Sequence, residues 1–289
     1  SVTPTTDLSV TSNRWDALLL QISINTSVSL PTIIISQVLG FKEANIYAVY
    51  SLVASAIISI VSALSSGIAP KMGLSLSQGK DIDSAYKIYD FIVSIVIAVV
   101  FSTMAVMLIP FINLYTSVVD DVNYIYPLYG VLISVWAALY SYRIPLTAII
   151  NAAGIYRENR INNIVNIIIQ VGAGIVGALI FGISGVLVVM IIASIQRNIG
   201  FSFINSKKVL HKGVKSTLLY QLLIALVVVI SGLISNLHLS NTDFSVMKWI
   251  LMSIMVFIIE IIINGIIFAI VDFQAIKLLA KVMKVKKSS

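Results

Sequence analysis

The sequence contains no cysteine and very little charge. Charged residues make up 11% of its 289 positions, whereas a soluble domain carries about 25%. Without cysteine the chain has no disulfide, no thiolate nucleophile and no cysteine metal site, and His211 and His238 show no metal-ligand spacing. Walker A, nucleophile-elbow, zinc-protease and dinucleotide-binding patterns are also missing. The sequence therefore predicts no cofactor, no metal site, no catalytic residue and no ATP hydrolysis.

Long apolar segments dominate the chain instead. Hydrophobic residues make up 58% of it, and the mean hydropathy is +1.01. Eight segments approach the roughly 20 residues that a helix needs to cross the hydrocarbon core of a membrane. They lie at about 16–39, 44–68, 88–112, 124–150, 161–181, 184–205, 216–236 and 246–273. We therefore predict an all-α integral membrane protein with about eight transmembrane helices, and the short turn at 181–185 predicts that the fifth and sixth are antiparallel neighbours.

The basic residues are distributed unevenly between the two sides of these predicted helices. Cytoplasmic loops of membrane proteins carry an excess of lysine and arginine. If the N-terminus is cytoplasmic, only Lys42 and Lys248 of the 19 basic residues fall on the outer side, together with the acidic pair Asp120 and Asp121. The distribution predicts that both termini are cytoplasmic, and it argues against a nucleic-acid partner. The basic C-terminal run KLLAKVMKVKKSS is either a topology signal or a contact with anionic membrane lipid.

Three of the predicted helices differ in how their polar residues are arranged. The first carries a stripe at helical spacing, Gln21, Asn25, Ser29, Thr32 and Ser36. This stripe is either the wall of a substrate cavity or a helix-packing surface, and the two amides favour a cavity. The second helix has a stripe of Tyr47, Ser51, Ser55, Ser59, Ser62 and Ser66, and its serines favour close helix packing. The third, uncharged from Phe91 to Ile112, is predicted to face lipid.

Three charged residues fall deep within apolar segments. Arg143 precedes Asn151 by about 12 Å of helix and shares a face with it, so it either points into a cavity or snorkels to the interface. Arg197 lies either near the membrane midplane or at the cytoplasmic surface. Glu260 lies one turn from Asn264, and it either relays protons or cations or makes a packing hydrogen bond. The predicted substrate-binding residues are Arg143, Arg197, Gln21, Asn25 and Asn151, with Glu260 as the candidate for ion coupling.

Six stretches of the chain resemble the C-terminal half of Wzx-type polysaccharide-biosynthesis flippases. They read NRWDALLLQIS, LGFKEANIYAVYSLV, ALSSGIAPKMGLSLSQGK, AYKIYDF, SYRIPLTAIINAAGIYRENR and FGISGVLVVMIIASIQRNI. The family belongs to the superfamily that also contains multidrug and toxin extrusion transporters and lipid II flippases. The resemblance implies a polar linker at 1–14, a six-helix lobe at 15–206, and two further helices with a basic cytoplasmic tail at 207–289.

The resemblance also implies a function, a location and partners. It implies a transporter in the bacterial inner membrane that moves a polyprenyl-pyrophosphate-linked oligosaccharide to the outer leaflet by alternating access. The implied partners are membrane lipid, an N-terminal lobe of the same protein and other polysaccharide-assembly proteins. Three alternatives stay open: a cation-coupled multidrug extrusion transporter, a membrane polysaccharide polymerase or ligase, and a non-transporting scaffold.

Overall fold

The computed structural model describes residues 8–79, 82–117, 122–210, 214–238 and 245–287. Asp120, Asp121, His211 and the lysines at 80 and 212 lie outside the described residues. Over the described ranges the chain is all-helical. Its α-helices are α1 (Leu8–Val38), α2 (Phe41–Ser65), α3 (Ile68–Ser77), α4 (Asp83–Thr116), α5 (Pro127–Ser141), α6 (Arg143–Ala153), α7 (Arg160–Ile168), α8 (Gly174–Asn205), α9 (Lys215–His238), α10 (Val246–Val271) and α11 (Phe273–Lys287).

Seven helical stretches of the described chain are long and apolar enough to cross a membrane. They are Arg14–Val38, Phe41–Ser77, Asp83–Thr116, Pro127–Ala153, Arg157–Leu210, Lys215–Ser235 and Val246–Val271. These stretches indicate a multi-pass membrane protein. The count differs from the predicted eight because the fifth and sixth predicted segments are continuous within the 54 residues of Arg157–Leu210.

The stretch Arg157–Leu210 reverses its direction at Gly182. This glycine has φ 61° and ψ −142°, which is not helical and which side chains with a Cβ rarely adopt. The two halves are hydrogen-bonded to each other in antiparallel order. Asn162 Nδ2 donates to the Arg197 carbonyl at 3.0 Å, and Asn166 Nδ2 donates to the Ala193 carbonyl at 2.7 Å. The prediction of antiparallel neighbours is confirmed, because the stretch forms a helical hairpin.

The central helix of the bundle is α4, which packs against α2, α5, α9 and α10. Most of its apolar side chains are buried, including Phe101 and Ile112. The prediction that this segment faces lipid is therefore wrong. A helix that is apolar on every side is suited both to a protein interior and to lipid. The similarly apolar α10 leaves most of its isoleucines exposed.

The N-terminal helix begins earlier than the sequence predicts. α1 starts at Leu8, so the predicted polar linker at 1–14 is helical over residues 8–14. No glycine or proline interrupts the chain between Leu8 and Pro31, and hence nothing stops the helix at the predicted boundary. Its buried Asp16 Oδ1 accepts a hydrogen bond from Arg160 Nε at 2.6 Å, which ties α1 to the start of α7.

A polar cluster joins the last two helices to the bundle at Asp272, directly after α10. Asp272 Oδ2 accepts from the Tyr220 hydroxyl at 2.7 Å, while Oδ1 accepts from the Ala275 backbone N–H at 2.9 Å and lies 3.1 Å from Lys87 Nζ. Burial alone would raise the pKa of Asp272. The hydrogen bonds from Tyr220 and Ala275, together with the Lys87 ammonium, outweigh burial and hold that pKa below its ordinary value.

Candidate functional site

A polar cavity lies between α1, α2, α3 and α6, with one residue each from α4 and α5 in its wall. Its volume is about 410 Å³. The lining residues are Leu20, Gln21, Ile24, Asn25, Ser62, Ser65, Ser66, Ala69, Tyr89, Tyr140, Arg143, Ile144, Thr147, Ala148 and Asn151. Hydroxyl, amide and guanidinium groups therefore share one space inside a bundle of apolar helices. Such a space is costly to expose to hydrocarbon, so we infer that it serves a polar ligand or water.

The position of Arg143 follows from the proline two residues later. Pro145 has no N–H to donate to the carbonyl of Ser141, and its ring clashes with that carbonyl. The helix is interrupted there, so that α5 ends at Ser141 and α6 begins at Arg143. From Arg143, steps of four place Thr147 and Asn151 on the same face. All three line the cavity, as the sequence predicts.

Arg143 supplies the positive charge of the cavity. Its Nη2 donates to the Tyr140 hydroxyl at 3.1 Å, and its guanidinium carbon lies 4.3 Å from the centroid of that ring. Its Nε is buried and has no hydrogen-bond partner. None of the lining residues given above carries a carboxylate. The charge of Arg143 is therefore not neutralised within the cavity wall, which leaves the cavity electropositive.

The opposite walls of the cavity supply amides and hydroxyls. Gln21 and Asn25 of α1 are exposed in it, and Gln21 Nε2 donates to Asn25 Oδ1 at 3.1 Å. Four of the five predicted substrate-binding residues, Gln21, Asn25, Arg143 and Asn151, thus line one cavity.

Of the stripe predicted on α2, Tyr47 is buried, whereas the serines are half-buried or exposed, so the serines do not form the closely packed face that the sequence favours. The buried face of α2 is formed by Tyr47, Tyr50, Ala54 and other apolar residues. Serines of the stripe hydrogen-bond to their own helix, as Ser59 does to the Ser55 carbonyl at 2.8 Å. Because these bonds satisfy the hydroxyls locally, the stripe needs no neighbouring helix. Its C-terminal end, Ser62 and Ser66, lines the cavity instead.

Arg197, the fifth predicted substrate-binding residue, does not line this cavity. Its side chain is 0% exposed, so it does not lie at a surface either. It packs behind Tyr140, with its guanidinium carbon 5.1 Å from the ring centroid. Its Nη1 donates to the Ser27 hydroxyl at 2.8 Å. The structure brings the two arginines to the same tyrosine, but only Arg143 reaches the cavity.

A network of amides surrounds Arg197 where α1, α7 and α8 meet. Asn162 and Asn166 contact Gln196 across the hairpin, and Gln170, a further four residues along, contacts Ser27 of α1. Asn166 Nδ2 donates to Gln196 Oε1 at 3.2 Å, and Gln170 Nε2 donates to the Ser27 hydroxyl at 2.8 Å. A π-helical segment at Ile169–Ala173 carries Gln170, and such segments are frequent at functional sites. The i, i+4 spacing of these amides is a sequence signal that the predicted site residues did not include.

Glu260, the candidate for ion coupling, lies in a different part of the molecule. It is 5% exposed and accepts a hydrogen bond from Asn264 Nδ2 at 2.8 Å. It lines an apolar groove of about 410 Å³ between α4, α9 and α10, beside Ser231. It contributes nothing to the wall of the arginine cavity. This placement fits a packing role for Glu260 between α9 and α10. If Glu260 coupled ion movement to the arginine cavity, the effect would have to be transmitted through α4.

Tyr140 is the residue of the site that the sequence did not single out. It lines the cavity and contacts both arginines, and its hydroxyl donates to the Ile24 carbonyl at 3.1 Å. Its role arises from contacts between α1, α5 and α8, which no local pattern records. Within the described residues no group of three or more histidine, aspartate or glutamate side chains could hold a metal ion.

Comparisons of the chain with protein-family models, with curated proteins and with solved structures gave no match.

Proposed function

We propose that the chain is a membrane transporter of the flippase type. Its substrate is a polyprenyl-pyrophosphate-linked oligosaccharide, which it moves across the bacterial inner membrane for surface polysaccharide assembly. The observation that carries the proposal is the electropositive polar cavity, in which Arg143 faces amides and hydroxyls without a carboxylate in the lining. The likeness of the sequence to Wzx-type flippases supports the same class of substrate.

The chemistry of the cavity suits an anionic, sugar-bearing head group. A charged arginine at the centre of a membrane helix costs on the order of 3 kcal/mol on insertion scales, and an anionic ligand offsets this cost. Guanidinium binds phosphate through charge-assisted, often bidentate, hydrogen bonds. Gln21, Asn25 and Asn151 offer the donors and acceptors that sugar hydroxyls require. The lipid tail stays in the bilayer.

The same cavity argues against a transporter of cationic drugs. Cations are held by carboxylates or by the faces of aromatic rings. Here the lining carries no carboxylate, and the Tyr140 ring already faces two guanidinium groups. The buried Glu260 lines a separate groove. The described site therefore favours an anionic substrate.

The membrane topology and the partners belong to the proposal. We place both termini in the cytoplasm, because the basic residues of the sequence are concentrated on that side. Along α1, Ser29 and Thr32 continue the polar stripe and are exposed. A second lobe packed across α1 would cover this stripe and close the cavity from lipid.

Replacement of Arg143 tests the proposed function. We expect Arg143→Ala, introduced into the full-length protein, to abolish export of the lipid-linked sugar, because the anion loses its charged hydrogen-bond donor. Arg143→Lys keeps the charge without the planar fork and should retain partial export. The measurement is surface polysaccharide in cells that carry each variant at equal membrane abundance.

The matched control for this experiment is Arg157→Ala. Arg157 is exposed and does not line the cavity, so its removal changes the net charge equally without touching the site. Export should stay at the wild-type level in this control. Wild-type export by Arg143→Ala would eliminate Arg143 as a substrate contact and leave snorkelling to the interface as its role.

A further inference from the structure

We propose that Arg197 is a second anion-binding group, covered by Tyr140, and that a ligand with two phosphate groups engages Arg143 and Arg197 together. This inference rests on the proposed function, in which Arg143 holds an anion in the cavity. The inference adds a binding group, the Arg197 guanidinium, that the present cavity wall does not contain. It also assigns the two phosphate groups of the proposed pyrophosphate to two separate arginines.

The hydrogen bonding of Arg197 is incomplete. Its side chain is 0% exposed, and only Nη1 is bonded, to the Ser27 hydroxyl. Nε and Nη2 are buried without a hydrogen-bond partner. Within the described chain no carboxylate forms a salt bridge with it. A buried guanidinium is stable only when it is paired and its donors are satisfied, so these two donors favour any arrangement that brings an anion to them.

The neighbouring groups do not complete this bonding in the structure. Ser27 already accepts from Arg197 and from Gln170, and it donates its own hydrogen to the Ser23 carbonyl at 2.9 Å. Tyr140 offers its ring face at 5.1 Å, which interacts with the charge but does not accept a directed hydrogen bond from Nε or Nη2. Gln170 Oε1 is likewise buried without a partner, yet it makes no hydrogen bond with Arg197, so Nε and Nη2 stay open to an anionic acceptor.

Tyr140 is the side chain that separates Arg197 from the cavity. It lines the cavity, and both guanidinium carbons lie within 5.1 Å of its ring centroid. Two hydrogen bonds hold its hydroxyl, one from Arg143 Nη2 and one to the Ile24 carbonyl. A phosphate oxygen can replace the first as the acceptor of Arg143. The Ile24 carbonyl lies within helix α1 and has a backbone partner there. These two hydrogen bonds therefore do not hold the ring once an anion has bound to Arg143. Tyr140 is 2% exposed and its ring packs against Trp136, so we expect it to move only when a second phosphate group binds Arg197 and offsets the lost packing.

Binding to the purified 289-residue chain in zwitterionic phosphatidylcholine nanodiscs tests the inference. The two probes are inorganic phosphate and methylenediphosphonate, and calorimetry gives the affinity of each. The wild type should prefer the diphosphonate. Because hydrogen bonds to a charged group are worth several-fold in affinity each, Arg197→Gln should weaken diphosphonate binding by roughly tenfold or more and leave phosphate binding within about twofold. Arg157→Gln, at an exposed site, should change neither affinity.

Fluorescence of Trp136 reports on the ring itself. The Trp136 and Tyr140 ring centroids are 5.5 Å apart, and Trp15→Phe with Trp249→Phe leaves Trp136 as the remaining tryptophan of the sequence. Diphosphonate should change this fluorescence in that background, and phosphate should not. An unchanged signal on diphosphonate binding would contradict movement of Tyr140.

The outcomes separate the two proposals. Failure of the wild type to bind either probe would overturn the anion site at Arg143 as well as the inference. A diphosphonate preference that persists in Arg197→Gln would overturn the inference alone. If Arg197→Gln shows no melting transition, it has not folded, and binding of the two probes to Arg197→Lys tests the inference instead. Lysine lacks the planar fork of arginine. The preference of Arg197→Lys for diphosphonate over phosphate must therefore fall, while its affinity for phosphate stays the same. An unchanged preference overturns the inference.

Discussion

Two buried tyrosines on α2 provide a matched test of the hydrogen bonding in this bundle. Tyr47 and Tyr50 are each 1% exposed. The single hydrogen of the Tyr50 hydroxyl is donated to the Tyr124 carbonyl at 2.8 Å, with the Tyr126 carbonyl at 3.2 Å as the second acceptor in reach, and the hydroxyl oxygen accepts from the Tyr126 N–H at 2.8 Å. The Tyr47 hydroxyl is buried without a partner among the described residues. Replacing each with phenylalanine removes one oxygen atom from two similar environments.

The expected effects on stability have opposite signs. A net hydrogen bond contributes about 0.5–1.5 kcal/mol, and a buried group left unsatisfied costs about 1–3 kcal/mol. Tyr50→Phe removes two bonds and leaves the Tyr126 N–H unpaired, so we expect a loss of about 2 kcal/mol in the free energy of unfolding. Tyr47→Phe removes an unsatisfied hydroxyl and should be neutral or stabilising.

Thermal unfolding of the purified variants in one detergent, followed by circular dichroism, measures the difference. At about 2–4 °C per kcal/mol for a chain of this size, Tyr50→Phe should lower the Tm by roughly 4–8 °C. Tyr47→Phe should leave it unchanged or raise it. Equal shifts in the two variants would refute the reasoning, because the effect would then come from the lost oxygen itself and not from its partners.

Two further predictions concern Asp272 and the hairpin. Because the folded pKa of Asp272 is lowered, its contribution to stability is present above the ordinary aspartate pKa and is lost as the pH falls through the folded value. Asp272→Asn should therefore lower the Tm at neutral pH, and its gap from the wild type should close in acid; a gap independent of pH would contradict this. A Cβ on Gly177 would lie 2.8 Å from the Gly185 carbonyl oxygen, while one on Gly172 meets nothing within 4 Å. Gly177→Ala should thus lower the free energy of unfolding, measured by chemical denaturation, by more than 1 kcal/mol, roughly the cost of overpacking. An equal loss for Gly172→Ala would mean that the effect comes from helix geometry and not from the contact with Gly185.

The parts of the fold that the sequence predicts are those set by local periodicity. The apolar segments lie on the observed helices, although the fourth segment is divided between α5 and α6. Arg143, Thr147 and Asn151 share a face because steps of four repeat along any helix. Hydropathy, however, measures transfer out of water. It does not distinguish lipid from the interior of a protein, which is why the burial of α4 was predicted wrongly and the exposure of α10 was not foreseen.

The parts of the site that escaped prediction depend on contacts between distant segments. Gln21 and Arg143 meet in one cavity, and only the polarity of each helix face suggested it. The position of Arg197 depended on where its helix ends, since a protruding helix would have brought it to the surface. The helix continues to Asn205 with Arg197 buried against Tyr140. The residues next to Tyr140 in the sequence form no distinctive pattern. Its contact with both arginines is therefore visible only in three dimensions.

The reversal at Gly182 constrains how the chain enters the membrane during synthesis. No charged residue occurs between Arg160 and Arg197, and the turn at Gly182 is too short to form a hydrophilic loop of its own. No flanking charge is therefore present at this turn to fix the first half of the hairpin in the membrane before the second half emerges. We expect the two halves to insert together as one hairpin, oriented by the basic residues at its two ends.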